Sequence, residues 1–233
     1  MTVAAIVAAA GRGERLGGGG PKALLEVGGV ALLVHAVRAL AAADGVTLVV
    51  VAAPADQVPE TETLLGAESG AAALVVVAGG STRPESVRRA LAVLPPEVTT
   101  VLVHDAARGL APVGLVEAVV AAVLEGAGAV VPGVPVVDTV KEVTDGVVTA
   151  TVDRSRLVAV QTPQGFRRDV LARAHAEAGP AVTATDDAGL VERLGLPVVV
   201  VPGSPDAFKV TKPIDLLLAE TVLRAREEAL NAR

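Results

Sequence analysis

The 233-residue chain has no cysteine, tryptophan or tyrosine, and only two phenylalanines, one methionine and three histidines. Without cysteine there are no disulfides, and with His35, His104 and His175 far apart in sequence no His/Cys zinc centre is expected. Without an aromatic platform nothing can stack bases, which excludes RRM-like or single-strand nucleic acid binding. Positive charge is short as well: 20 Lys and Arg against 26 Asp and Glu leave a net charge of −6 at pH 7. That balance argues against nucleic acid backbones and anionic membranes as partners, so an anionic ligand must be held by a local cluster. A hard cation on carboxylates remains compatible with this composition.

Uninterrupted apolar runs of membrane length are also missing, although 52% of the residues are hydrophobic. The stretch from Gly109 to Val137 carries only Glu117 and Glu125 as charges, but Pro112, Gly114, Gly126, Gly128, Pro132, Gly133 and Pro135 cut it short. A span needs about 20 continuous apolar residues, so none is expected. The segment from Met1 to Ala10 lacks the basic start of a signal peptide and runs into Gly11-Arg12-Gly13. It reads as a buried first strand, and the expectation is a cytoplasmic protein. The length suits one domain, residues 1–233, with an embellishment.

Valine-rich runs recur at Val3 to Ala8, Val46 to Ala52, Ala73 to Ala78, Val101 to Val103, Ala129 to Val131 and Val198 to Val201. Apolar on both faces, they suit parallel strands covered on both sides. Helical spacing lies between them, at Leu32 to Leu40, Ser86 to Leu94, Leu115 to Leu124, Asp169 to Ala178 and Ile214 to Leu230. The alternation predicts an open α/β sheet. From Val134 to Thr151 it breaks: two strand-like runs flank Asp145-Gly146, which predicts an inserted β-arm at about 134–156.

The segment Ala8 to Lys22 follows the first strand, where open α/β sheets bind ligands. Its glycines let backbone N–H groups approach phosphates. It is no dinucleotide fingerprint, because Leu16 stands at the third glycine position, and no P-loop, because Pro21 precedes Lys22 and Ala23 follows it. A glycine-rich loop carrying Arg15 and Lys22 suits a triphosphate neutralised by side chains; a solvated surface loop is the plainer alternative. Next, Val103-His104-Asp105-Ala106-Ala107-Arg108 ends a predicted central strand. Asp105 there can bind Mg²⁺ and Arg108 can fork onto a phosphate or onto Asp105, or Asp105 can simply cap a helix. His104 reads as a packed strand histidine. Asp138 to Lys141 and Asp153 to Arg156 place Thr139 and Arg154 on the arm, either to reach a partner or as edge charges that deter aggregation. Gln161 to Gln164 follows. Thr185-Asp186-Asp187 can start a helix towards Leu194, and Lys209 lies in an apolar, strand-like run where burial requires an anion.

Together with Gly79-Gly80-Ser81-Thr82-Arg83-Pro84-Glu85-Ser86-Val87, these segments stand in an order that resembles the 2-C-methyl-D-erythritol 4-phosphate cytidylyltransferase family over nearly the whole chain. The resemblance implies a Rossmann-like nucleotidyltransferase fold: an α/β, open, mostly parallel sheet covered by helices, with the inserted arm. It implies attack of the methylerythritol phosphate on the α-phosphorus of CTP, releasing pyrophosphate. By the same resemblance Arg15, Lys22 and Lys209 are catalytic, and Asp105 holds Mg²⁺. Ala9, Ala10, Gly11, Gly13, Gly80, Ser81 and Ser86 bind CTP. Arg108, Thr139, Arg154 and Thr162 bind the acceptor, with Thr139 and Arg154 reaching across from the partner of a homodimer. Gly109 departs from the family's usual proline, Ala207-Phe208 replace Asn-Ile, and Gly17 to Gly20 suggest an open lid. Ribitol 5-phosphate cytidylyltransferase is the alternative of the same class, separated only by the acceptor pocket. A nicotinamide-dependent oxidoreductase is set against by the failed fingerprint, and a non-catalytic nucleotide-binding regulator by the retention of Arg15, Lys22 and Lys209 together.

Overall fold

A computed structural model describes residues 2–11, 22–66, 68–179 and 185–231. Strand β1 (Thr2–Ala8) is followed by the small pair β2 (Glu26–Val27) and β3 (Val30–Ala31), then by α1 (Leu32–Ala41), β4 (Val46–Ala53), α2 (Val58–Leu65), β5 (Ala73–Ala78) and α3 (Arg83–Ala92). The middle of the chain forms β6 (Val98–Asp105), α4 (Val113–Leu124), β7 (Ala129–Pro135), β8 (Lys141–Thr144) and β9 (Val147–Thr151). The remainder forms β10 (Val158–Val160), β11 (Gln164–Arg167), α5 (Arg168–Ala178), α6 (Ala188–Arg193), β12 (Val199–Pro202) and α7 (Pro213–Asn231).

β6, β1, β4 and β5 pair in parallel, as do β7 and β12. β11 runs antiparallel to both β6 and β7 and joins the two halves into one mostly parallel α/β sheet. Strand periodicity explains its two-sided burial. Val3, Ala5 and Val7 of β1 pack with α1 and α4 on one face, whereas Ala4 and Ile6 pack with α3, α5 and α6 on the other. Each face needs its own helical cover, which is why the strands read as continuous apolar runs rather than alternating ones. Val27, Leu32, Leu110, Val210 and Ala219 form a smaller cluster that docks α7.

Two features depart from the sequence reading. The arm's first strand begins at Lys141, because Pro135 ends β7 and residues 136–140 pair with nothing in a sheet; Val152 N–H donates to Val140 O and closes the ribbon at its base. β11, between the arm and α5, has too short an apolar run to announce itself, yet its Gln164 and Phe166 are fully buried.

Candidate active site

The C-terminal ends of β1, β4, β5 and β6 lie level, with Ala8 paired to both Asp105 and Ala52. Ala8, Ala53 and Ala78 end three of these strands, so small residues leave room there and Asp105 is the one carboxylate among the four. A cleft of about 700 Å³ opens beside them, lined by Ala10, Gly11, Pro54, Gly80, Ser81 and Arg89 among others. A larger hollow, about 760 Å³, lies at the opposite end of β6 beside Val98 and Leu124 and contains none of the residues singled out from the sequence.

The cleft wall at 79–86 is tightly specified. A Cβ on Gly79 would stand 2.5 Å from Ala10 Cβ, so only glycine fits. Gly80 N–H donates to Ser86 Oγ at 3.0 Å, and Ser86 in turn donates to Thr82 O at 2.9 Å. Ser81 donates to Glu85 Oε2 through its N–H at 2.7 Å and its hydroxyl at 2.8 Å, and Arg89 donates to Glu85 Oε1 at 2.6 Å. These bonds, the Ser81 hydroxyl first, pull the Glu85 carboxyl down to about 2. Thr82 caps α3 by accepting from Glu85 N–H, and Pro84 suits the first turn. The structure thus brings Ala10, Gly11, Gly80 and Ser81 to one cleft. Ser86 lies behind the wall and shapes it, and Ala9 is buried with its N–H bound to Ala52 O at 3.0 Å.

At the mouth of β6, Asp105 is held from two sides. Its Oδ2 accepts from Lys209 Nζ at 2.7 Å and its Oδ1 from Arg83 Nε at 3.1 Å. Burial works against the Asp105 charge, but the Arg83 and Lys209 cations outweigh it and hold the carboxyl well below its usual range. Behind it, Thr162 Oγ1 accepts from Asp105 N–H at 3.0 Å and lies 3.1 Å from His104 Nδ1. Burial pushes the His104 imidazole down to about 4, in keeping with a packed histidine. Thr162 is itself buried, so its hydroxyl positions the end of β6 rather than facing open space.

Three expectations change in detail. Arg108 does not fork onto Asp105: it donates to the carbonyls of Ala207 at 2.7 Å and Val160 at 3.2 Å, because Arg83 and Lys209 already occupy that carboxylate. Asp105 precedes the short turn Ala106–Arg108 but makes no capping bond with its side chain. Lys209 lies outside any strand and its side chain is 45% exposed, so it answers an anion at the surface rather than in the core.

Thr139 and Arg154 are exposed on or beside the arm and do not line the cleft, and Arg154 donates to Val137 O. Arg15, Gly13 and the Gly17 to Gly20 run lie outside the described residues; Lys22 opens the turn Lys22–Leu24, but its side chain also lies outside them. The sequence gives no site role to Arg83, Asp187 or His175, although Arg83 lies in the 79–87 run and Asp187 in the run from Thr185. The run does start α6: Asp187 directly precedes Ala188 and Asp186 Oδ1 accepts from Gly189 N–H at 3.0 Å, but the Asp187 side chain turns inward to Arg83 and His175. Gly109 has a packing reason: a Cβ there would meet Leu32 O at 2.7 Å, and Phe208 packs onto the cluster containing Leu32.

Comparisons with known proteins give the chain a family and a matching fold. Residues 3–225 match the model of the family described as 2-C-methyl-D-erythritol 4-phosphate cytidylyltransferase. The Streptomyces coelicolor protein of that name is 57% identical over 232 residues, covering 96% of this chain and 85% of that one. The Saccharopolyspora erythraea protein of the same name is 56% identical over 227 residues, covering 96% of this chain and 100% of its own. The crystal structure of the Thermus thermophilus enzyme of that name superposes with a TM-score of 0.79 at 39% identity, covering 96% of this chain and 100% of that one. With a match of this extent, the chain belongs to the 2-C-methyl-D-erythritol 4-phosphate cytidylyltransferase family.

Proposed function

We propose that the protein transfers the cytidylyl group of CTP to 2-C-methyl-D-erythritol 4-phosphate, giving 4-diphosphocytidyl-2-C-methyl-D-erythritol and pyrophosphate. The observation that carries this reading is the family match over residues 3–225, joined to a glycine-walled cleft at the strand ends and an Asp105–Lys209 pair at the end of β6. An oxygen of the acceptor's phosphate attacks the α-phosphorus of CTP, and the bond from that phosphorus to the bridging oxygen of the β-phosphate breaks. Pyrophosphate carries the electron pair away, and no covalent enzyme intermediate forms. Catalysis of this kind rests on positioning and on charge placed where charge develops.

In this reading the wall at Gly80 and Ser81, with Ala9, Ala10, Gly11, Gly13 and Ser86, receives the nucleotide. Lys209, with Arg15 and Lys22, neutralises the α-phosphate and the departing pyrophosphate. Arg108 serves the acceptor side, with the buried Thr162 hydroxyl positioning the end of β6 behind it, and Thr139 and Arg154 complete that side from the arm of a second copy in a homodimer. Among the described residues no cluster of three or more metal-ligating side chains exists, so a cage made wholly by protein is not at hand. Asp105, at the end of β6 with its two oxygens accepting from Arg83 and Lys209, offers Mg²⁺ a single carboxylate, in keeping with an ion that usually takes one or two carboxylates and completes its shell with water and substrate phosphates. Asp105 is the residue that would hold it, and the bound ion would supply charge neutralisation on the triphosphate. No helix among the described residues is long and apolar enough to cross a membrane, and a cytoplasmic location fits an enzyme whose substrates are small and charged.

The names of the relatives favour methylerythritol phosphate over ribitol 5-phosphate as acceptor. The test is pyrophosphate release by purified protein with Mg²⁺, offering each acceptor with CTP and then ATP, GTP and UTP with methylerythritol phosphate. Turnover confined to CTP and methylerythritol phosphate is expected. Preference for ribitol 5-phosphate would move the enzyme to the other acceptor, and stabilisation by NAD without turnover of any pair would remove the transferase reading.

A further inference from the structure

A line of charged side chains runs from the surface at Lys209 into the interior, and the reaction proposed above uses only its outer end. Lys209 Nζ lies 2.7 Å from Asp105 Oδ2, and Arg83 Nε donates to Asp105 Oδ1 at 3.1 Å. Arg83 Nη1 donates to Asp187 Oδ2 at 2.6 Å, and His175 Nε2 lies 2.8 Å from Asp187 Oδ1. Side-chain exposure is 45% at Lys209, 13% at Asp105, 23% at Arg83 and 1% at Asp187. A guanidinium is planar and rigid, so engaging Nε and Nη1 with two separate carboxylates fixes its plane and through it the rotation of Asp105. Lysine, a point charge on a flexible stem, could not impose that orientation.

Two further features set Arg83 apart from an ordinary ion pair. It opens α3, where the helix dipole disfavours a cation, so the helix gains nothing from its presence there. A buried ion network is also a poor source of stability compared with apolar packing of the same volume. The same short segment that walls the nucleotide cleft at Gly79 to Ser81 carries Arg83, so cleft and carboxylate are joined through the five consecutive residues from Gly79 to Arg83.

We propose that Arg83, braced by Asp187, is a positioning residue that sets the rotation of Asp105 and so holds the Asp105–Lys209 pair against the triphosphate. The proposal rests on the cytidylyl transfer reading and adds two residues to it.

The experiment is a double-mutant cycle in the full chain. Arg83→Gln is expected to lower kcat by roughly 10- to 100-fold, with KM for methylerythritol phosphate changed less than about threefold. Arg83→Lys, which keeps the charge but not the fork, is expected to restore less than about a tenth of the lost rate. In an Asp105→Asn background the same Arg83→Gln change should cost less than about threefold, because its effect passes through Asp105. Equal losses in both backgrounds, or an unchanged kcat, would overturn the proposal. Should Arg83→Gln fail to fold, the isosteric Asp187→Asn takes its place in the cycle under the same criteria. Binding of Mn²⁺ to the CTP-loaded protein, followed by electron paramagnetic resonance, gives a readout independent of turnover: about tenfold weaker binding in Arg83→Gln supports positioning, and equal binding overturns it. Wild-type protein that binds Mn²⁺ and CTP but releases no pyrophosphate with any acceptor would refute the transfer reading while leaving the metal-binding comparison decisive for Arg83.

Discussion

The sheet and the arm handle apolar residues in opposite ways. In β1, Ala4, Ala5, Ile6 and Val7 are all completely buried, each face sealed by helices. In β8 and β9 every residue is exposed, and Val143, Val147 and Val148 stand 58%, 66% and 55% open. The same residue type therefore holds the body together at one place and contributes nothing to the chain's own core at the other. A two-stranded ribbon alone in water is marginal. The contrast teaches that the arm's apolar residues answer to something outside this chain's core, which is why a second copy is part of the proposed function.

The largest effect that would test this division is on stability. Phe166 is the largest fully buried side chain and packs between the sheet and α5 and α6. Phe166→Ala is expected to cost about 3–5 kcal/mol in urea unfolding. Val147→Ala should stay within about 0.5 kcal/mol at protein concentrations where the chain is monomeric. A comparable loss from Val147→Ala under those conditions would mean that the arm belongs to the body's cooperative unit.

The next effect is on activity. Lys209 is exposed and its loss opens no cavity, so Lys209→Ala should lower kcat about 10²-fold or more with the unfolding transition in place. Arg154→Ala should also be impaired. Mixing the two inactive variants should restore part of the activity, because a hybrid dimer contains one site with both residues intact. Absence of recovery, with subunit exchange demonstrated, would confine the site to one chain and remove the arm's role.

The sequence made the body legible because each parallel strand is a continuous apolar run and each helix carries one apolar stripe. The arm was legible from Asp145-Gly146, whose residues do adopt positive φ of 50° and 79°. β11 was not, because a four-residue strand containing Gln164, Gly165 and Arg167 has no apolar period to detect. Of the site, Asp105 could be placed at a strand end, whereas Lys209 reads as part of a strand-like run and lies outside any strand. Their pairing could not, since it joins residues 104 positions apart. Arg83 and Asp187 escaped for the same reason: each has a sufficient local explanation, one in a helix's first turn and the other at a helix start, and only the fold brings them together.

Acid separates the two regions again. Burial opposes the Asp187 charge, but Arg83 and His175 outweigh it and hold its carboxyl below the ordinary value. A depressed folded-state pKa adds stability above the unfolded value, near 4, and that stability disappears as pH falls through the folded value. Asp187→Asn lacks it, so the wild type should lead by about 2 kcal/mol at pH 7 and the gap should shrink as urea midpoints are measured from pH 5 towards pH 3. On the exposed turn beside the arm, Asp153 is also lowered, by the Ser155 hydroxyl and N–H. Asp153→Asn keeps the capping geometry and, on a turn open to solvent, should shift the midpoint far less than Asp187→Asn, its small gap shrinking in acid in the same sense. A gap for Asp187→Asn that is constant with pH would assign its effect to lost packing rather than to charge.

The smallest effect sits at the tip of the arm. Gly146 has φ of 79° and a Cβ there would meet nothing within 4 Å, so an alanine costs conformational strain alone. That strain is about 1 kcal/mol. If the arm opens independently of the body, Gly146→Ala should speed amide exchange in β8 and β9 about fivefold and leave β1 and β6 unchanged, since local opening draws only on local free energy. Slower closure of the arm should also weaken association of two chains without altering the unfolding of either. Faster exchange spreading into β1 would show that the exposed ribbon and the buried sheet unfold as one unit, and the division between them would fail at the residue where it is cheapest to test.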